Sequence, residues 1–179
     1  MKGIEVITGC MFSGKTTELF SRLKLVNTPI LLVKPLIDDR DTGNIISTHS
    51  GTELEAVRIH HLSEIFDKLD SLSVLGIDEA QFFPNTIIND LKYLSRMNIR
   101  IIIAGLDKDY LNKNFDVMRK IIDISDSTTV LHAQCTCGRK ASFSHRKNQS
   151  LKDQILIGNK DVYEALCEIC FVEKQKKIS

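Results

Sequence analysis

The chain has 179 residues, 42% of them hydrophobic, and its 24 basic and 23 acidic side chains leave a net charge of +1. That length buries a normal core in one main domain with room for a small appendage, and the neutral balance excludes the single-sign field of a nucleic-acid binder, pointing instead to a small-molecule partner. The first loop is reached by residue 9, which leaves no room for a signal peptide, and no apolar run approaches a membrane span, so a cytoplasmic protein with no membrane partner is expected.

Ile4-Glu5-Val6-Ile7-Thr8 is the first predicted strand, and it runs straight into Gly9-Cys10-Met11-Phe12-Ser13-Gly14-Lys15-Thr16, a complete G-x-x-x-x-G-K-[ST] phosphate loop. A strand that ends in this loop and feeds a helix turns backbone N–H groups toward one point, where the helix dipole and Lys15 add positive charge. A triphosphate fits there. The helix is predicted independently over 14–26, with Leu19, Phe20 and Leu23 on one face. Cys10 reads as a spacer whose backbone does the work.

Further apolar runs at 30–33, 73–77 and 99–104 alternate with helix-like stretches at 63–70 and 85–97. The order β-α-β-α-β-α-β predicts an α/β fold, a P-loop NTPase-like parallel sheet with helices on both faces. In such a sheet ligands gather at the carboxyl ends of the strands, so the residues from Gly9, Lys34, Asp78 and Gly105 onward are the ones that can carry chemistry. After the second strand come Asp38, Asp39, Arg40 and Asp41. Arg40 can neutralise a transferring phosphoryl group and Asp38 can stand behind a metal; an exposed charged loop accounts for them equally well.

The third strand ends in Asp78-Glu79, on the side of the sheet that carries the phosphate loop. Asp78 is placed to hold Mg²⁺ with the Thr16 hydroxyl, because Mg²⁺ takes hard oxygen ligands. Neighbours on a strand point to opposite faces, so Glu79 shares that job only if the strand has already ended. It reads as the group that orients an acceptor hydroxyl or a water for attack on a γ-phosphate.

Composition changes near residue 132, where cysteine, glycine and basic residues replace the long apolar runs. The expected division is a nucleotide-binding domain over 1–131, a metal-binding subdomain over 132–171 and a frayed tail over 172–179. In a reducing compartment paired cysteines read first as metal ligands. Cys135, Cys137, Cys167 and Cys170 suit a structural Zn²⁺, although Cys135-Thr-Cys137 has one residue fewer than a Cys-x-x-Cys pair. A turn that short has to lose or rearrange the N–H contacts to sulfur, and recruitment of His132 or an empty site stays open. His49, His60, His61 and His145 read as loop or surface histidines.

The residues at 9–19, Ile77-Asp78-Glu79-Ala80-Gln81-Phe82-Phe83-Pro84, Thr48-His49, Ala104-Gly105-Leu106-Asp107 and the four-cysteine unit together resemble the type II thymidine kinases over nearly the whole chain. The resemblance implies ATP and thymidine as substrates, Mg²⁺ and structural Zn²⁺ as cofactors, and a homotetramer. It implies that Glu79 is the catalytic base for the thymidine 5′-hydroxyl, that Ala80 and Gln81 lie beside it at the nucleotide, and that Phe82 packs on the thymine ring. Leu106, Tyr110 and Phe115 match positions lining the nucleoside pocket. Gln154, Ile155, Leu156, Ile157 and Gly158 match a lasso loop that closes over the base, followed by Tyr163. A carboxylate is too weak a base to strip a primary alcohol in advance, so Glu79 has to orient the hydroxyl and take its proton late. Two alternatives stay open on the residues alone: an ATPase that binds nucleic acid through a zinc ribbon, and a different deoxynucleoside as acceptor.

Overall fold

A computed structural model describes residues 3–36, 45–47, 53–147 and 162–176. The expectations for Asp38, Arg40, Thr48, His49 and the stretch 154–158 fall outside those residues.

Strand β1 (Gly3–Gly9) leads into helix α1 (Lys15–Lys24), and β2 (Ile30–Pro35) follows. A short antiparallel hairpin, β3 (Ile45–Ser47) with β4 (Glu53–Glu55), precedes β5 (Val57–Ile59). Leu62–Ser71 is wound as 3₁₀ turns rather than the α-helix its spacing predicts, and it buries Leu62, Ile65 and Leu69. Then come β6 (Val74–Ile77), α2 (Ile87–Leu94), β7 (Arg100–Ala104), α3 (Asp116–Asp123) and β8 (Ser127–Leu131).

The main sheet has six strands in the order β5-β2-β6-β7-β1-β8, and every pairing is parallel. Helix α1 covers one face, where Leu19, Phe20 and Leu23 meet Ile7, Leu32 and Ile102. The 3₁₀ segment, α2 and α3 cover the other, over Val6, Val33, Leu75 and Ile101. Strands β1, β6 and β7 are apolar almost throughout because both faces are covered. Edge strand β8, Ser-Thr-Thr-Val-Leu, is half open to solvent, so it lacks the apolar run that marks the others.

Beyond β8 lie two small antiparallel pairs, β9 (Ala133–Gln134) with β10 (Lys140–Ala141) and β11 (Phe143–Arg146) with β12 (Tyr163–Leu166), followed by helix α4 (Glu168–Lys176). Cys135, Ala141, Leu166, Cys167 and Phe171 form their own core. The tail expected to fray from 172 is instead helical as far as Lys176, because Phe171 is buried and Lys174 reaches back to Glu164. His145, expected on the surface, is buried with its Nδ1 3.0 Å from a Glu164 carboxylate oxygen.

One ion-pair cluster stitches the sheet's amino end to α1. Glu5 on β1 accepts two bonds from Arg100 of β7, at 2.6 and 3.0 Å, and one from Arg22 of α1 at 3.2 Å. Arg100, burial and Arg22 act on the Glu5 carboxyl in that order, and the net effect holds it below the ordinary carboxylate range. Its contribution is therefore present above the ordinary value and is lost as pH falls through the depressed one. Glu5→Gln is expected to cost about 1–2 kcal/mol of stability at pH 7. Urea unfolding should find that deficit shrinking below pH 4.5 as the wild-type carboxyl takes up its proton.

Candidate functional site

Gly9 ends β1 with φ 140°, and a Cβ there would lie 2.1 Å from the Leu131 carbonyl oxygen, so only glycine lets the loop leave the sheet. Phe12 follows at φ 64° and Gly14 at φ 86°, a run of left-handed turns that aims successive N–H groups inward. Gly14 caps α1 without a side chain, which keeps the helix's first N–H groups available to an anion. Lys15 Nζ donates to the Cys10 carbonyl at 2.9 Å. Burial pushes the ammonium below its ordinary range, while the carboxylates of Glu79 and Asp78 oppose that shift. The Ser13 hydroxyl is buried within the loop and has no hydrogen-bond partner among the described residues. A phosphate oxygen suits such a cradle.

The interior of the loop is tied to the C-terminal unit. The Cys10 thiol donates to the Ala141 carbonyl at 3.3 Å, and the Met11 N–H donates to the Ser144 hydroxyl at 3.0 Å. Phe12 packs on the same small core. Cys10 is therefore more than a spacer: its side chain is 3% exposed, and burial pushes its thiol pKa up, away from redox or nucleophilic use. Its hydrogen-bond partner Ala141 lies 131 residues away in sequence, where local reading does not reach.

Across the sheet β6 has ended by Ile77, which removes the alternation that would have parted the two acids. Asp78 accepts the Thr16 hydroxyl at 3.0 Å on one oxygen and the Glu79 N–H at 3.0 Å on the other. Glu79 sits at φ 53°, a left-handed conformation that costs about 1 kcal/mol or more for a residue with a Cβ. The turn brings both carboxylates to the Lys15 side. Burial, followed by the charge of Glu79, drives the Asp78 carboxyl up to about 7 against the opposing pull of Thr16, the Glu79 N–H and Lys15.

Glu79 is fixed from its far side. The Gln81 amide nitrogen donates to Glu79 Oε2 at 2.5 Å while its oxygen accepts the Leu106 N–H at 2.9 Å. With the Leu106 N–H claiming the oxygen, the amide can only donate toward Glu79. Gly105 makes room for this link, since a Cβ there would lie 3.0 Å from the Gln81 oxygen and 2.7 Å from the Met118 sulfur. Phe82 and Phe115 stand edge to face with ring centroids 6.3 Å apart, and both are half-buried, as is Leu106. Tyr110 and Tyr163 lie deeper. Ala80 is fully buried and packs in the core beneath.

The four cysteine sulfurs all lie within 4.8 Å of one another, with those of Cys137 and Cys167 3.6 Å apart. A tetrahedral site with metal–sulfur bonds of about 2.3 Å has sulfur–sulfur edges of about 3.8 Å, so this set can hold a metal ion such as zinc. His132 is not recruited, because its Nδ1 lies 3.0 Å from the Ser142 hydroxyl. The short turn closes with Gly138 at φ 84°, the Gly138 N–H donating to the Cys135 carbonyl at 2.8 Å. It keeps N–H support as well. Burial works against ionising Cys135, yet the N–H groups of Cys137 and Cys167, with their thiols, bring it down to about 6. Hydrogen bonds with Cys137 and Cys167 push Cys170 up to about 12. Thiols this crowded ionise together only when a cation offsets their repulsion.

A parallel sheet with its phosphate loop facing an acidic strand end defines the P-loop nucleotide-binding class. A family profile described as "Thymidine kinase" matches residues 2–171, and the chain belongs to that family. A thymidine kinase of Bacteroides thetaiotaomicron is 39% identical, the match covering 94% of this chain and 86% of that one. One from Mycoplasma mycoides is 34% identical over 99% and 92% of the two chains, and one from Bdellovibrio bacteriovorus is 38% identical over 92% and 82%. Among the described residues no helix is long and apolar enough to cross a membrane.

Local reading missed Ser144 and Arg146, which lie outside any motif and meet the site only through the fold. The raised Asp78 carboxyl has a consequence for stability. The folded state holds that proton more tightly than the unfolded chain, so the wild type loses stability as pH climbs from 3.8 toward 7. Asp78→Asn escapes the loss. In metal-free buffer its advantage over wild type in urea unfolding should grow across that interval and level off above pH 7, at on the order of 4 kcal/mol.

Proposed function

We propose that this chain is a thymidine kinase, transferring the γ-phosphoryl group of ATP to the 5′-hydroxyl of thymidine to give dTMP and ADP. The observation that carries the reading is the placement of Glu79, which faces Lys15 and Asp78 on one side and is joined through Gln81 to Leu106 on the other. Donor phosphates belong at Gly9 to Thr16. The acceptor belongs against Phe82, Leu106 and Phe115, whose half-buried faces suit a flat base. In this reading Glu79 orients the 5′-hydroxyl and takes its proton as the phosphoryl group leaves ADP, which suits a loose transition state. Gln81 holds that carboxylate in place. Lys15 and the loop N–H groups bear on the phosphates where charge accumulates. Tyr110 and Tyr163 back the nucleoside wall, and the segment 154–158 supplies backbone groups to the base edge.

Thr16 and Asp78 are the residues that would hold Mg²⁺, since their hard oxygens already lie 3.0 Å apart. Held there, the ion would supply charge neutralisation to the transferring phosphates. Asp38 and Arg40 complete the donor side as the resemblance implies. Cys135, Cys137, Cys167 and Cys170 would hold a structural Zn²⁺ that braces the unit under the phosphate loop. The reading also takes the protein to be cytoplasmic and homotetrameric.

Release of ADP should depend on thymidine, and turnover that ignores thymidine or responds to single-stranded DNA would overturn the assignment. Glu79→Gln should lower kcat by about 10²–10⁴ while ATP binding by calorimetry is retained. Elemental analysis should give about one zinc per chain, and Cys137→Ser should lose most of it together with thermal stability.

A further inference from the structure

Arg146 is fully buried, the largest such side chain among the described residues. Its guanidinium carbon stands 3.9 Å from the centre of the Tyr110 ring and 5.5 Å from that of Tyr163, and one terminal nitrogen donates to the Tyr163 hydroxyl at 2.9 Å. Burying a cation carries a desolvation cost of several kcal/mol, and an apolar side chain of similar volume often does as well for stability. What the arginine adds is geometry. Its planar fork binds one tyrosine through the ring face and the other through the hydroxyl, so the two rings cannot move independently.

The two tyrosines come from separate pieces of chain. Tyr110 follows β7 in the stretch that begins with Leu106, and Tyr163 opens β12. Arg146 itself ends β11, where alternate residues share a face. Two positions earlier on that face is Ser144, which accepts the N–H of Met11 in the phosphate loop. His145 between them turns the other way, toward Glu164 and Phe171. One short strand therefore grips the phosphate loop at Ser144 and the tyrosine pair at Arg146.

We infer that Arg146 is a positioning residue for the acceptor nucleoside: it locks Tyr110 and Tyr163 into one wall and, through β11, holds that wall at a fixed distance from the phosphate loop. The inference rests on the thymidine kinase reading. Arg146 touches no reacting atom, so its removal loosens the acceptor wall and leaves the phosphate cradle in place.

Steady-state kinetics with both substrates varied tests it. Arg146→Met, which keeps the volume, should raise the thymidine KM about tenfold or more while the ATP KM stays within about twofold. Arg146→Lys keeps the charge without the fork and should fall between. A purely structural role would lower the melting temperature and the active fraction but leave the thymidine KM where it was, and that result overturns the inference. Should Arg146→Met fail to fold, Tyr163→Phe decides. It should raise the thymidine KM about threefold, and combined with Arg146→Lys the increase should be smaller than the product of the two single effects, because the bond between Arg146 and Tyr163 is lost only once. Independent, multiplying effects would overturn the link. Wild-type enzyme run in parallel keeps the cases apart, since failure of wild type to phosphorylate thymidine rejects the functional reading rather than the role of Arg146.

Discussion

The architecture turns on the close approach of two backbones at the carboxyl end of the sheet. Gly9 pairs with Leu131 of β8, and the space where a Cβ would stand is filled by the Leu131 carbonyl. Because β1 ends against β8, the chain leaving β8 is already beside the phosphate loop when the cysteine unit begins. That unit is therefore built on the loop. Cys10 and Phe12 enter its core, Met11 bonds to it, and the positive-φ residues hold their strained shape because contacts on both sides over-determine it.

The same edge concentrates charge. Lys15, Asp78 and Glu79 converge where the strands stop, in surroundings dry enough to lower the ammonium and to drive the Asp78 carboxyl upward. Left-handed backbone at Glu79 permits two adjacent acids to serve one small volume, with Asp78 turned to Thr16 and Glu79 turned to Gln81. The two carboxylates repel one another, and the Lys15 ammonium between them offsets part of that repulsion.

Much of this was legible in the chain. The buried strands β1, β2, β6 and β7 announce themselves as apolar runs, because a parallel sheet covered on both faces tolerates little else. The phosphate loop and the acids after β6 are contiguous in sequence, so motif reading reaches them. The edge strands β5 and β8 do not stand out, since one side of each faces solvent or a loop and the hydrophobic signal is halved. Helix α3 carries Val117, Met118 and Ile121 on one face over only two turns, and its charged outer face hides that short stripe. Cys10, Ser144 and Arg146 draw their roles from partners distant in sequence. No local pattern encodes such pairs.

The shortened cysteine turn bears on the phosphate loop as well as on a metal. Cys135 lies in the same small core as Cys10 and Ala141, and the turn between Cys135 and Cys137 closes that core on one side. A unit of this size, with two small antiparallel strand pairs and one helix among its described residues, buries too little apolar surface to be stable alone. Its stability is shared between the four thiolates, when they hold a cation, and the docking of Cys10, Met11 and Phe12 against it. Linkage makes that sharing reciprocal: anything that firms the cysteine unit firms the loop, and phosphate held by the loop in turn steadies the unit. Losing one residue from the first pair is tolerated because the Gly138 turn still brings all four sulfurs together without moving Cys135 out of the core it shares with the loop.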